Sequence, residues 1–80
     1  MMTTDSYIER MSEPTRLALI NDYEQFRRDG FIGECVLRKE TRIFQHILGV
    51  REFANITLWM EQLANAAYRH YAHRYISLLD

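Results

Sequence analysis

Only one proline and three glycines interrupt these 80 residues, and their positions, Pro14, Gly30, Gly33 and Gly49, divide the chain before any other feature is weighed. Proline lacks a backbone donor and glycine loses the most entropy on ordering, so both gather at the ends of elements. Between these breakers the apolar residues recur every three or four positions rather than alternating, which is the period of an α-helix. The expected fold is all-α: a small bundle of three main helices plus a short N-terminal helix, with a long C-terminal helix, residues 1–80 forming a single helical domain.

Local signals set the expected boundaries. Thr4 or Asp5 is placed to cap the first helix, with Ser6 and Glu9 at capping-box spacing and Ile8 and Met11 on its inner side. Glu13 precedes proline and is biased toward extended backbone, so this helix is expected to stop near Ser12. The second helix runs from Pro14 to about Asp29 with the inner stripe Leu19, Ile20, Tyr23 and Phe26, and Gly30 is its left-handed C-cap. The third runs from about Gly33 to Leu48 and ends at Gly49. At about 100° per residue, Val36, Leu37, Ile43, Phe44, Ile47 and Leu48 share an arc of about 140°, opposite Arg38, Lys39, Arg42, Gln45 and His46. The fourth begins near Asn55, with Asn55 or Thr57 as cap, and continues to about Leu79 without a breaker.

Glu40 falls inside the apolar arc of the third helix, beside Val36, Ile43, Phe44 and Ile47. An ionised carboxylate there is costly unless it is paired or hydrogen-bonded, so the expectation is that it meets a tyrosine hydroxyl or an arginine of the fourth helix, or that the helix edge tilts it to water. A general base of raised pKa would need a cleft and a second polar group as well. The chain carries no Gly-rich phosphate loop, nucleophile elbow or second carboxylate in an apolar arc, and the expectation is that it is not an enzyme.

The near-palindrome YRHYAHRY, residues 68–75, resolves on a helical wheel into two faces. Tyr68, Tyr71, Ala72 and Tyr75 continue the stripe Ile56, Met60, Leu63, Ala64 and Ala67, which Leu78 extends, while Arg69, His70, His73 and Arg74 lie opposite. A stacking platform for single-stranded bases needs aromatics and arginines on one surface, and here they are segregated. The tyrosines therefore read as core or interface and the Arg/His face as solvated, with a lesser reading as a patch for an acidic partner. His70 and His73, with Cys35 and His46 as the other soft ligands, match no zinc framework, and no metal or cofactor is expected. Trp59 lies about 100° from the centre of the stripe, where it packs under the loop carrying Val50 and Phe53 or serves as an exposed anchor.

Ten basic and eleven acidic side chains leave a net charge of −1, so any nucleic-acid surface must be local. The one concentrated basic face is Arg38, Lys39, Arg42 and His46, and the turn RDGFIG before it invites comparison with a helix-turn-helix. Phe26 is bulky where that motif wants a small residue, Lys39 stands where an inward apolar side chain is expected, and Gly33 adds a second break. The lone Cys35, the opening MMTTDSYIERM without a basic or apolar leader pattern, and the absence of an apolar run of about 20 residues give the expectation of a cytoplasmic protein with no membrane span.

The functional expectation is a small cytoplasmic helical adaptor or regulatory protein of phage or bacterial accessory type, acting by protein–protein contact. The apolar stripe of the fourth helix outruns its neighbours, which favours a homodimer through the C-terminal half of that helix. The candidate partner-binding residues are Trp59, Arg69, Tyr71, His73, Tyr75 and Leu78. The alternative is a DNA- or RNA-binding regulator using Arg38, Lys39, Arg42 and His46.

Overall fold

The computed structural model describes residues 1–51 and 54–79, with side chains through His73. Among these residues four helices follow one another: α1 Thr4–Glu9, α2 Glu13–Asp29, α3 Val36–Ile47 and α4 Ile56–Leu79. The all-α expectation holds, and α4 has the length read from the sequence. It packs against each of the other three, while α2 also packs against α3. The chain measures 41 × 34 × 17 Å, and its short dimension is that of two helical layers about 10 Å apart.

The caps correct several boundaries. Thr3, not Thr4 or Asp5, caps α1: its Oγ1 accepts the Ser6 amide at 3.0 Å, and Ser6 Oγ accepts the Thr3 amide at 2.8 Å. The reciprocal pair is Thr3–Ser6 rather than Ser6–Glu9, and α1 ends at Glu9, so it is shorter than expected. Ser12 starts α2 instead of ending α1, with Oγ accepting from the Thr15 amide. Glu13 is accordingly the first helical residue, the Ser12 cap outweighing the steric bias that Pro14 places on it. Gly30 caps α2 with φ +70°, and its amide returns to Phe26 O at 2.8 Å. A Cβ there would meet nothing nearby, so glycine is needed for the left-handed backbone alone.

α3 begins at Val36, three residues later than expected, because two other groups take up its first amides. Cys35 Sγ accepts from the Arg38 amide at 3.4 Å, and Asp22 Oδ2, on α2, accepts from the Leu37 amide at 3.0 Å. A carboxylate at a helix N-terminus also meets the positive end of the helix dipole. Asn55, with φ +48°, offers its carbonyl to the Trp59 amide and so opens α4.

All four helices share one core. Ile8, Leu19, Leu37, Phe44, Met60, Leu63 and Ala67 are shut off from solvent. Phe44 is the centre of an aromatic row, with Tyr7 stacked on it at 4.8 Å and Trp59 edge-on at 5.8 Å. Trp59 thus belongs to the flank of the core; Phe53, its other expected neighbour, lies outside the described residues. Ala64, Ala66 and Ala67 on α4 remove the bulk that would hold α1 and α2 away.

Candidate functional site

α3 is turned about 75° on its axis from the orientation its apolar arc predicts. Its buried residues are Leu37, Thr41, Phe44 and Gln45, whereas Val36, Ile43 and Ile47 are 38%, 38% and 48% exposed. Gln45, expected on the polar face, is fully buried: its Nε2 donates to Ala54 O at 2.9 Å, and its Oε1 finds no donor among the described residues. Thr41 Oγ1 bonds back to Leu37 O at 2.7 Å. Both polar side chains occupy space that the sequence pattern assigns to aliphatics.

Glu40 consequently moves from the middle of the buried arc to its edge and is half-buried. Its Oε2 accepts the Tyr7 hydroxyl at 2.7 Å, so the partner is a tyrosine as expected, but one on α1 rather than a group of α4. Tyr7 itself is 8% exposed. Burial first, then the hydrogen bond and charge of Glu40, push the Tyr7 phenol well above its ordinary pKa. The pair works chemically as a latch between α1 and α3.

The basic face of α3 is partly spent inside the protein. Arg42 makes a forked contact with Glu34 at 2.8 and 3.2 Å, and Arg38 lies 3.8 Å from the same carboxylate while its Nη1 donates to Ile32 O at 3.3 Å. The Arg42 hydrogen bond holds the exposed Glu34 carboxyl below its usual range, so the pairing persists at neutral pH. Lys39 and His46 are exposed beside Ile43. Six residues, Gly30 to Cys35, separate α2 from α3, where a helix-turn-helix uses three or four.

A recess of about 210 Å³ opens at that corner, lined by Asp22, Phe26, Asp29, Phe31, Glu34 and Cys35 among others. Asp22 is the residue sequence reasoning missed; the available signal was the lack of an acidic residue in the first turn of α3, which left the dipole to be met from elsewhere. Burial pushes the Cys35 thiol pKa up and the Asp22 charge adds to it, outweighing the downward pull of the Arg38 amide, so the thiol stays protonated. Among the described residues no three His, Cys, Asp or Glu side chains are placed to hold a metal. No described helix is long and apolar enough to cross a membrane.

On α4 the Arg/His face of YRHYAHRY stays largely exposed as expected, but it is the side along which α1 packs, and the tyrosine face is left outside the core. α1 lies along the Arg/His side: Asp5 Oδ1 accepts from Arg69 Nη2 at 3.3 Å, and Ile8, Glu9, Ala66, His70 and His73 line the recess between them. Ala66 explains the choice, since a helix approaches closer over alanine than over a tyrosine ring. Arg69 and His73 are exposed and His70 is half-buried. Tyr68 is 58% and Tyr71 43% exposed, so neither belongs to the core of this chain. Tyr71 borders Leu17, Arg16 and Glu13 at the start of α2. The side chains of Arg74, Tyr75 and Leu78 lie outside the described residues.

Compared with known proteins, the chain matches no protein-family model, no curated protein and no solved structure.

Proposed function

We propose that this protein is a small regulatory adaptor that works by binding other proteins, of the compact kind found among phage and bacterial accessory proteins, and that it pairs with a second copy through the C-terminal half of α4. The observation that carries this reading is the exposure of Tyr68 and Tyr71 on a helix that continues to Leu79. Glu13, the first residue of α2, lies beside Tyr71. From there α4 runs on for eight residues, about 12 Å. Tyrosine offers a large, rigid, amphipathic contact at low entropic cost, which is why it is enriched in interfaces. Leu17, also exposed, lengthens the patch across to α2. A two-fold pairing buries the same patch on both chains.

Light scattering coupled to size-exclusion chromatography at tens of micromolar tests this. The expected mass is twice the 9.6 kDa of one chain, falling to one chain for Tyr71→Glu with the helical circular dichroism retained. A wild-type protein that elutes as a single chain, with a Tyr71→Glu variant equally soluble and folded, overturns the pairing.

A further inference from the structure

The rotation of α3 leaves an apolar seam on its outer side. Val36, Glu40, Ile43 and Ile47 follow at steps of four, three and four, the d–a–d–a spacing of a coiled coil, over about 17 Å of helix. Three of the four are aliphatic and exposed, and the fourth, Glu40, has its carboxylate held by Tyr7. On one flank, at the positions a coiled coil uses for interhelical charge pairs, stand Lys39 and His46, both exposed. The opposite flank, Leu37 and Phe44, is closed by the core. Turning α3 back by about 75° would bury the three aliphatics and free Thr41 and Gln45, whose Oε1 now lacks a donor. A chain that breaks its own binary pattern at the expense of a buried orphan acceptor is marked there for function.

We propose that this seam docks an amphipathic helix of another protein, with aliphatic residues at heptad spacing and acidic residues along one flank. Charge favours an acidic occupant. Arg38 and Arg42 are held by Glu34, and the flank that faces a docked helix offers the Lys39 ammonium and the His46 imidazole. A second copy cannot fill the place with its own α3: its open flank is again Lys39 and His46, and its other flank is buried. Glu40 in the seam asks for a lysine or arginine opposite, and one polar position of this kind fixes the register of a helix pair. The site shares no residue with the Tyr68–Tyr71 surface and does not depend on the pairing proposed for α4.

The test uses the full chain and a designed four-heptad peptide with leucine at the seam, one central lysine and glutamate on both flanks, beside a control with lysine flanks. In a ¹⁵N heteronuclear titration to about 1 mM peptide, the low end of specific affinity, the glutamate peptide is expected to shift Val36, Lys39, Ile43, His46 and Ile47. Binding should weaken at least about tenfold for the lysine-flanked control, through charge complementarity across the rim. Ile43→Asp and Ile47→Lys, both at exposed positions, should abolish the shifts while helicity persists, and Tyr71→Glu should leave them unchanged. The proposal is overturned if α3 resonances do not move, if both peptides bind alike, or if Ile43→Asp instead changes the oligomeric mass, which would make the seam a self-contact. It is equally overturned if a DNA duplex binds α3 and loses affinity through Lys39→Ala but not Ile43→Asp, which would assign the face to nucleic acid.

Discussion

Replacing Tyr7 by phenylalanine removes one oxygen and leaves the ring in place, so it isolates the bond between α1 and α3. The stacked contact with Phe44 at 4.8 Å and the burial of the ring are retained. What is lost is a 2.7 Å hydrogen bond to a carboxylate. Bonds to charged groups contribute about 1.5–3 kcal/mol, and the lower end applies because the half-buried Glu40 regains water once released. For a domain of this size about 1.5 kcal/mol corresponds to a fall in Tm of about 6–12 °C. The phenol adds a pH signature. Its folded pKa is raised above the ordinary 10.0, so the folded state keeps a proton that the unfolded state gives up. The stabilisation is therefore complete below about pH 10 and declines above it, by up to about 1.36 kcal/mol per pH unit. Urea unfolding followed by circular dichroism at pH 7 and again near pH 11 measures both effects: the wild-type advantage over Tyr7→Phe should be present at pH 7 and shrink at pH 11. A variant within about 0.3 kcal/mol of wild type at pH 7 would refute the latch, and an advantage that does not change with pH would refute the raised phenol pKa, whose first cause is burial.

Two further outcomes follow from other groups. Gln45→Glu is nearly isosteric but sets a buried carboxylate against Ala54 O, so it should cost about 3 kcal/mol or more at pH 7 relative to wild type; burial raises the new pKa, so the deficit should shrink as pH falls toward 4, and a pH-independent deficit would show the position to be hydrated. Glu34→Gln should release Arg42 and Arg38 and delay elution from a heparin column while leaving the thermal transition in place, and unchanged elution would show that Glu34 does not mask the α3 cations.

What the sequence disclosed was the part of the structure set by neighbours in the chain. The left-handed cap at Gly30, the place of Pro14 in the first turn of α2 and the extent of α4 each depend on backbone chemistry within a few residues. The orientation of α3 does not. An apolar arc of about 140° fits the core at several rotations. The one adopted is fixed by Tyr7, 33 residues from Glu40, and by Asp22, 15 residues from Leu37. Candidate surfaces follow the same rule: Lys39 and His46 lie outside as the helical wheel predicts, while Arg38 and Arg42, which the wheel leaves open, are held by Glu34. A helical wheel likewise identifies the two faces of residues 68–75 but not the side on which α1 will lie. The run Ala64, Ala66, Ala67 was the available clue, because small side chains mark where another helix comes close.

α1 has six residues, too few to persist as a helix in water, since nucleation consumes most of what so short a segment can gain. Its stability is borrowed: Arg16 of α2 donates to the carbonyls of Ile8 and Met11, Glu40 holds Tyr7, and Arg69 reaches Asp5 across 64 positions of chain. The Arg16 bonds are local, but the holds on Tyr7 and Asp5 wait for α3 and α4, so the order of assembly runs against the order of synthesis. The segment made before its partners must wait, unstructured, for the surface it completes. In the finished protein the same dependence makes α1 the segment expected to open first, in a local opening that would bare Ala66, which lines the recess beneath it.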